Sequence, residues 1–391
     1  MTDSLVLSGN WNYPTTVRFG AGRIRELPKC CRNLGMERPL LVTDPGLAEL
    51  PLVADALAVN TDAGLATGLF ADIKPNPVGK NISDGLRAFH EGGHDGVIAF
   101  GGGSAMDAGK TIAFMAGQKR PLWDFEDAGG NWKRAEMDAI APVVAVPTTS
   151  GTGSEVGRAA VVIDESTETK KVLFHPRMLP GLVICDPELV TGLPPGITAA
   201  TGMDALAHSL EAFCVDAYHP MADGIALEGM RLVRDWLPVA YQDGADIEAR
   251  AHMMAAAAMG ATAFQKGLGA IHSLSHPVGA VFDTHHGLTN AVFMPYVLAF
   301  NQKAIGDKME RLARFIGLKK PSFQAVLEWT LALREKFEIP HTAAELGVAE
   351  GRLGDIAAMA AKDPTAPTNP VPVGETEMRR MLDAAMEGRV A

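Results

Sequence analysis

Residues 95–117 read DGVIAFGGGSAMDAGKTIAFMAG, and this stretch decides the architecture of the first half of the chain. Val97 to Phe100 form a short apolar run, Gly101 to Gly103 follow, and from Ser104 the pattern turns helical and closes on a glycine. Strand, glycine turn and helix in succession make one crossover unit of a mainly parallel sheet. Runs of the same kind lie on either side: RPLLVTD (38–44), GLATGLFADI (64–73), APVVAVPTTS (141–150), AAVVID (159–164) and GLVICD (181–186). A second helical pattern, NPVGKNISDGLRAFHEGG (76–93), separates two of them. From Thr198 onward strands stop, and Ala, Leu, Met and Glu recur at helical spacing. The expected fold is an α/β dinucleotide-binding domain over 1–190 and an all-helical domain over 191–391, with the boundary near Pro187 to Pro195. The tail segment KDPTAPTNPVPVGETE (362–377) reads as a proline-rich loop before a last helix, either a surface connection or a lid.

Composition narrows the function classes. A chain of 391 residues with 47% hydrophobic and 21% charged residues belongs to a globular protein of about two domains. Its net charge of -11 offers no basic field to nucleic acid or to an anionic membrane, so neither is an expected partner. The opening MTDSLVLSGNWNYP lacks a basic flank and an apolar core, which points to a cytoplasmic protein. Cys30, Cys31, Cys185 and Cys214 form no CxxC pair and read as reduced core thiols.

Two loops in the first half suit a dinucleotide. Gly101, Gly102 and Gly103 allow close approach of a pyrophosphate to a helix N-terminus, although the pattern is not GxGxxG. PTTSGTGSE (147–155) also follows a strand and offers small hydroxyls. Asp44, at the end of RPLLVTD, reads either as a ribose-binding carboxylate that disfavours a 2'-phosphate or as a plain helix cap before Pro45.

The second half concentrates metal-ligand chemistry. Asp204 and His208 stand one helical turn apart, and His272, His276, His285 and His286 fall within fifteen residues flanked by glycines and apolar side chains. One carboxylate and several neutral imidazoles suit Fe2+ or Zn2+, with His285 expected to point elsewhere.

In order along the chain, FGAGRIRELP (19–28), KPNPV (74–78), GGGSAMDAGK (101–110), PTTSGTGSE, DPELVTGLPP (186–195), TGMDALAHSLEAF (201–213) and GLGAIHSLSHPVGAVFDTHHG (267–287) resemble the iron-containing, or group III, alcohol dehydrogenases. That family shares its fold with dehydroquinate synthase. The resemblance implies metal ligands at Asp204, His208, His272 and His286, and an additional active-site histidine at His276. It implies NAD contacts at Asp44, Asn76, Gly102, Gly103, Ser104, Asp107, Thr148, Thr149, Ser154 and Lys171, and a homo-oligomer of two or more subunits. The implied reaction is hydride transfer between a primary alcohol, or its aldehyde, and NAD over Fe2+ or Zn2+, with His276 in the proton relay. Within the family the chain looks most like the 4-hydroxybutyrate dehydrogenases; neutral alcohols or diols such as 1,3-propanediol, and a non-redox lyase of the dehydroquinate synthase type, are the alternatives. A non-catalytic metal-binding relative is a third reading. A hydroxy acid needs a cation for its carboxylate, and Lys266 and Arg158 are the candidates; Lys266 reads equally as a lysine reaching solvent from a helix end.

Overall fold

The computed structural model describes residues 9–11, 15–167 and 169–390, so most of the opening segment read for a leader lies outside the described residues. The chain divides into two compact units, residues 1–149 with 153–192, and residues 150–152 with 193–391.

In the first unit the strands are β1 Gly9–Trp11, β2 Thr16–Phe19, β3 Pro39–Val42, β4 Gly68–Phe70, β5 Gly96–Gly101, β6 Val143–Pro147, β7 Ala159–Asp164, β8 Thr169–Phe174 and β9 Leu182–Cys185. Seven of them form one sheet in the order β1-β2-β9-β6-β5-β3-β4, parallel throughout except for β1 against β2. Strands β3, β5, β6 and β9 are buried along their whole length, which is why they read as continuous apolar runs rather than as alternation. The run AAVVID does not join this sheet. As β7 it pairs antiparallel with β8 in a separate hairpin, and its alternating burial fits a strand with one covered face. Helices α1 Leu27–Asn33, α2 Pro45–Ala48, α3 Pro51–Asp62, α4 Gly79–Glu91 and α5 Gly103–Met115 supply the crossovers. Because β3 lies between β4 and β5, the chain leaves β3 toward one edge and returns to its other side, which makes a switch point at the carboxyl ends of β3 and β5.

The second unit is helical: α6 Pro195–Cys214, α7 Pro220–Gln242, α8 Ile247–Ala263, α9 Ala270–Phe282, α10 His286–Phe315, α11 Phe323–Lys336, α12 Leu353–Ala360 and α13 Glu375–Glu387. Helix α6 is buried from Thr198 to Cys214, so it is mostly apolar all round, with a few buried hydroxyls beside the side chains that carry chemistry. Pro277 lies inside α9 and does not end it. The proline-rich segment after α12 is a tied-down surface connection rather than a free lid. Asn369 accepts from the Ala270 N–H and exchanges amide bonds with Asn301, while Thr368 donates to the Leu268 carbonyl, so the segment clasps the start of α9. All four cysteines are buried and free. No helix among the described residues is long and apolar enough to cross a membrane.

Candidate metal and nucleotide sites

Three helices of the second unit converge on one cage. Asp204 and His208 leave the same face of α6, His272 comes from the first turn of α9, and His286 opens α10. Their ligand atoms lie within 4.8 Å of one another. The Nε2 atoms of His208, His272 and His286 stand 3.8, 3.8 and 3.7 Å from Asp204 Oδ1. Four atoms bonded tetrahedrally to one ion at about 2.1 Å would be roughly 3.4 Å apart, so the donor set fits a divalent transition ion with little movement. Close approach of α10 to α6 depends on Gly287, where a Cβ would fall 2.2 Å from the Ala200 carbonyl oxygen and 3.1 Å from Asp204 Cβ. Burial pushes His208 down to about 4 against the pull of Asp204, which keeps its imidazole neutral and able to coordinate. Burial opposes the charge on His272 most strongly, but its bond to Glu211 together with the charges of Glu211, Asp204 and Asp363 outweighs that and holds it above the usual imidazole range.

Around the cage lie partners that motif reading passed over. Glu211 Oε2 is 2.6 Å from His272 Nδ1. Asn290 Nδ2 stands 2.8 Å from Asp204 Oδ1 and 3.2 and 3.1 Å from the Nε2 atoms of His272 and His286. Both were within reach of spacing alone, since Glu211 follows Asp204 by two helical turns and Asn290 follows His286 by one. His276, one turn beyond His272, stacks on His286 with ring centroids 5.5 Å apart and bonds through Nδ1 to Asp363 Oδ2 at 2.8 Å. Burial pushes the Asp363 carboxyl up, but His276 and two donors from Thr365 outweigh it and hold it below the usual carboxylate range. No local pattern marks Asp363, because it comes from the clasp 87 residues downstream of His276. His285 is outside the cage and accepts from Leu288 N–H as the cap of α10.

In the first unit most residues expected at NAD lie on the loops following β3, β4, β5 and β6. The Asn76 N–H donates to Ser104 Oγ at 3.3 Å, and Asn76 itself takes a left-handed φ of 53° between two prolines. Gly102 caps α5 with no side-chain cap, and a Cβ there would meet Thr149 at 3.2 Å. The Thr148 N–H donates to the Gly101 carbonyl, tying the β5 and β6 loops together. Asp44 caps α2, accepting from Leu47 N–H at 2.9 Å, so the helix-cap reading holds for one of its oxygens. Three expected contacts are committed elsewhere. Asp107 accepts from Ser154 Oγ and from Val161 N–H at 2.8 Å, with the buried Lys110 ammonium 3.4 Å away, so Asp107 and Ser154 brace the loop against α5 and β7. Lys171 sits on the β7–β8 hairpin between Asp164, at 3.0 Å, and Glu126, at 3.3 Å. Beside them Glu155 is buried with no ion pair among the described residues, and burial pushes it up to about 7 against a backbone bond and the field of Lys110.

Lys266 ends a short helical turn, as expected, but does not reach solvent. Its side chain is 1% exposed and its ammonium stands 2.6 Å from Asp223 Oδ1, so it neither reaches solvent nor remains an uncommitted cation. Arg158 is exposed just before β7, its guanidinium 5.7 Å from the Phe174 ring.

The family model of iron-containing alcohol dehydrogenases matches residues 14–187, and the model of the family's C-terminal part matches residues 198–386. The chain is 40% identical over 388 residues to a 4-hydroxybutyrate dehydrogenase of Cupriavidus necator, covering 96% of this chain and 99% of that one. A solved 1,3-propanediol oxidoreductase superposes with a TM-score of 0.89 at 32% identity, covering 98% and 100% of the two chains. A sulfoacetaldehyde reductase from Bifidobacterium kashiwanohense, solved with NAD+, gives a TM-score of 0.85 at 27% identity over 95% and 97%.

Proposed function

This chain belongs to the iron-containing alcohol dehydrogenase family, and from that premise we propose that it oxidises the terminal hydroxyl of a short hydroxy acid such as 4-hydroxybutyrate. The family is one of NAD- and iron-using oxidoreductases that act on CH–OH groups, so the reaction class follows from membership. The observation that carries the site is the Asp204, His208, His272 and His286 cage, whose donors we assign to the ion. A divalent ion there supplies Lewis acidity toward the substrate oxygen, and NAD supplies the two-electron acceptor. Residues of the chain do the rest. Asp204 and the three imidazoles, in their neutral form, would hold the ion; Glu211 braces His272, and the Asn290 amide contacts Asp204, His272 and His286. Asp363 fixes the His276 ring through Nδ1, which leaves Nε2 to take the hydroxyl proton. In the α/β unit we assign NAD to Asp44, Asn76, Gly102, Gly103, Ser104, Thr148 and Thr149, whose loops cluster at the switch point; Asp107 and Ser154 act behind them as braces.

The substrate preference is supported by the 40% identity to a 4-hydroxybutyrate dehydrogenase. The likeness to a 1,3-propanediol oxidoreductase supports a neutral diol as the second reading. Arg158, exposed beside the Phe174 ring, is the cation we propose for the carboxylate. NADH formation by protein loaded anaerobically with Fe2+ or with Zn2+, measured against both substrates, separates the readings. A higher kcat/KM for 4-hydroxybutyrate supports the hydroxy acid; a higher value for the diol replaces it. Arg158→Ala is expected to raise KM for 4-hydroxybutyrate alone, whereas Lys266→Met should affect both substrates alike through lost packing. The same reading places the enzyme in the cytoplasm and makes it a homo-oligomer; light scattering of the purified protein tests the latter.

A further inference from the structure

Glu211 is buried on α6 and its two carboxylate oxygens are both engaged by α9. Oε2 meets His272 Nδ1 at 2.6 Å, and Oε1 accepts from the Ile271 N–H at 2.7 Å. Gly269 makes room for this approach, since a Cβ there would lie 2.9 Å from Oε1. No side chain of α9 itself caps the helix, so the carboxylate of another helix and Asn369 take up its first amides.

We propose that Glu211 is a positioning residue of the metal centre, locking His272 in the tautomer that carries its proton on Nδ1 and turns the Nε2 lone pair into the cage. The proposal rests on the reading of Asp204, His208, His272 and His286 as ion ligands. An imidazole coordinates through one nitrogen only if the other holds the proton, and an acceptor at Nδ1 enforces that arrangement and raises the basicity of the coordinating nitrogen. A glutamine cannot replace Glu211. Two donors, Ile271 N–H and His272 Nδ1–H, face its oxygens, and an amide offers one acceptor and one donor, so one of the two always meets an NH2 group.

The test is Zn2+ affinity, measured by competition with a chromophoric chelator, on full-length wild type, Glu211→Gln, Asn369→Ala and Asp204→Ala. Asn369→Ala removes the neighbouring acceptor at the start of α9 without touching His272, so it reports a purely structural contribution. Glu211→Gln is expected to weaken Zn2+ binding by roughly 10- to 100-fold, while Asn369→Ala stays close to wild type. In 15N spectra of the metal-free proteins, recorded at a pH alkaline enough to keep the ring neutral, His272 should show a single Nδ1–H tautomer in wild type and a mixture in Glu211→Gln. If the glutamine variant fails to fold, Glu211→Asp, one methylene too short to hold both donors, is expected to change in the same direction. Wild-type affinity in the folded Glu211 variant, equal weakening by Asn369→Ala, or an unchanged His272 tautomer overturns the proposal. Undiminished Zn2+ binding by Asp204→Ala would instead sink the ion-site reading itself.

Discussion

Individual side chains here are set by what buries them. Glu155, in the brace between α5 and β7, is protonated more readily in the folded chain than in the unfolded one, at about 7 against an ordinary 4.5. Between those two values the folded state keeps a proton that the unfolded state has lost, so stability falls as pH rises and levels off above 7. The full drop is about 3 kcal/mol. Glu155→Gln should remove that slope, seen as a widening difference in denaturation midpoint from wild type between pH 5 and pH 8; parallel curves would show that Glu155 is solvated or paired. Asp363 makes a second case. Asp363→Asn keeps one acceptor but confronts three donors, from His276 and Thr365, so the ring loses its fixed orientation. We expect kcat to fall by about 10²-fold with ion content unchanged; loss of the ion in this variant would assign Asp363 to the cage instead.

Helix contacts matter as much as the ligands they carry. Asp204 and His286 come together only because α10 meets α6 at Gly287, and a methyl there would collide with the Ala200 carbonyl. Gly287→Ala is therefore expected to separate α6 from α10 and cost more than tenfold in ion affinity while all four ligands remain in the sequence. Calorimetric titration with Zn2+ checks this, and an unaltered affinity would mean that the contact relaxes without moving the cage. The D-x3-H and H-x3-H spacings were legible because a helix repeats its face every turn. Glu211 and Asn290 obeyed the same rule and carried equal geometric information, but a lone glutamate or asparagine in a helix has many ordinary explanations. AAVVID shows the converse limit, since alternation identifies a strand without naming its partner.

Two units with separate cores offer two separable ligand responses. Ligand that binds only the folded state adds about 2.7 kcal/mol at one hundred times its Kd. Removing the ion should lower the melting midpoint of the helical unit, and NAD should raise that of the α/β unit. Differential scanning calorimetry with each ligand alone checks the assignment; a single transition shifted equally by both would assign them to one cooperative body.

Local pattern was sufficient for the parallel sheet, the change to helices, the glycine turn and the residues of the cage. Each depends on periodicity or on residue type over a few turns, and short-range sterics and burial enforce both. Other features needed coordinates. The ion pair of Lys266 with Asp223, the bracing of Asp107 by Ser154, and the clasp that brings Asp363 to His276 join residues 43 to 87 positions apart. Such contacts form because a buried charge must find a partner wherever the packed chain provides one, and spacing along the chain carries no record of that choice.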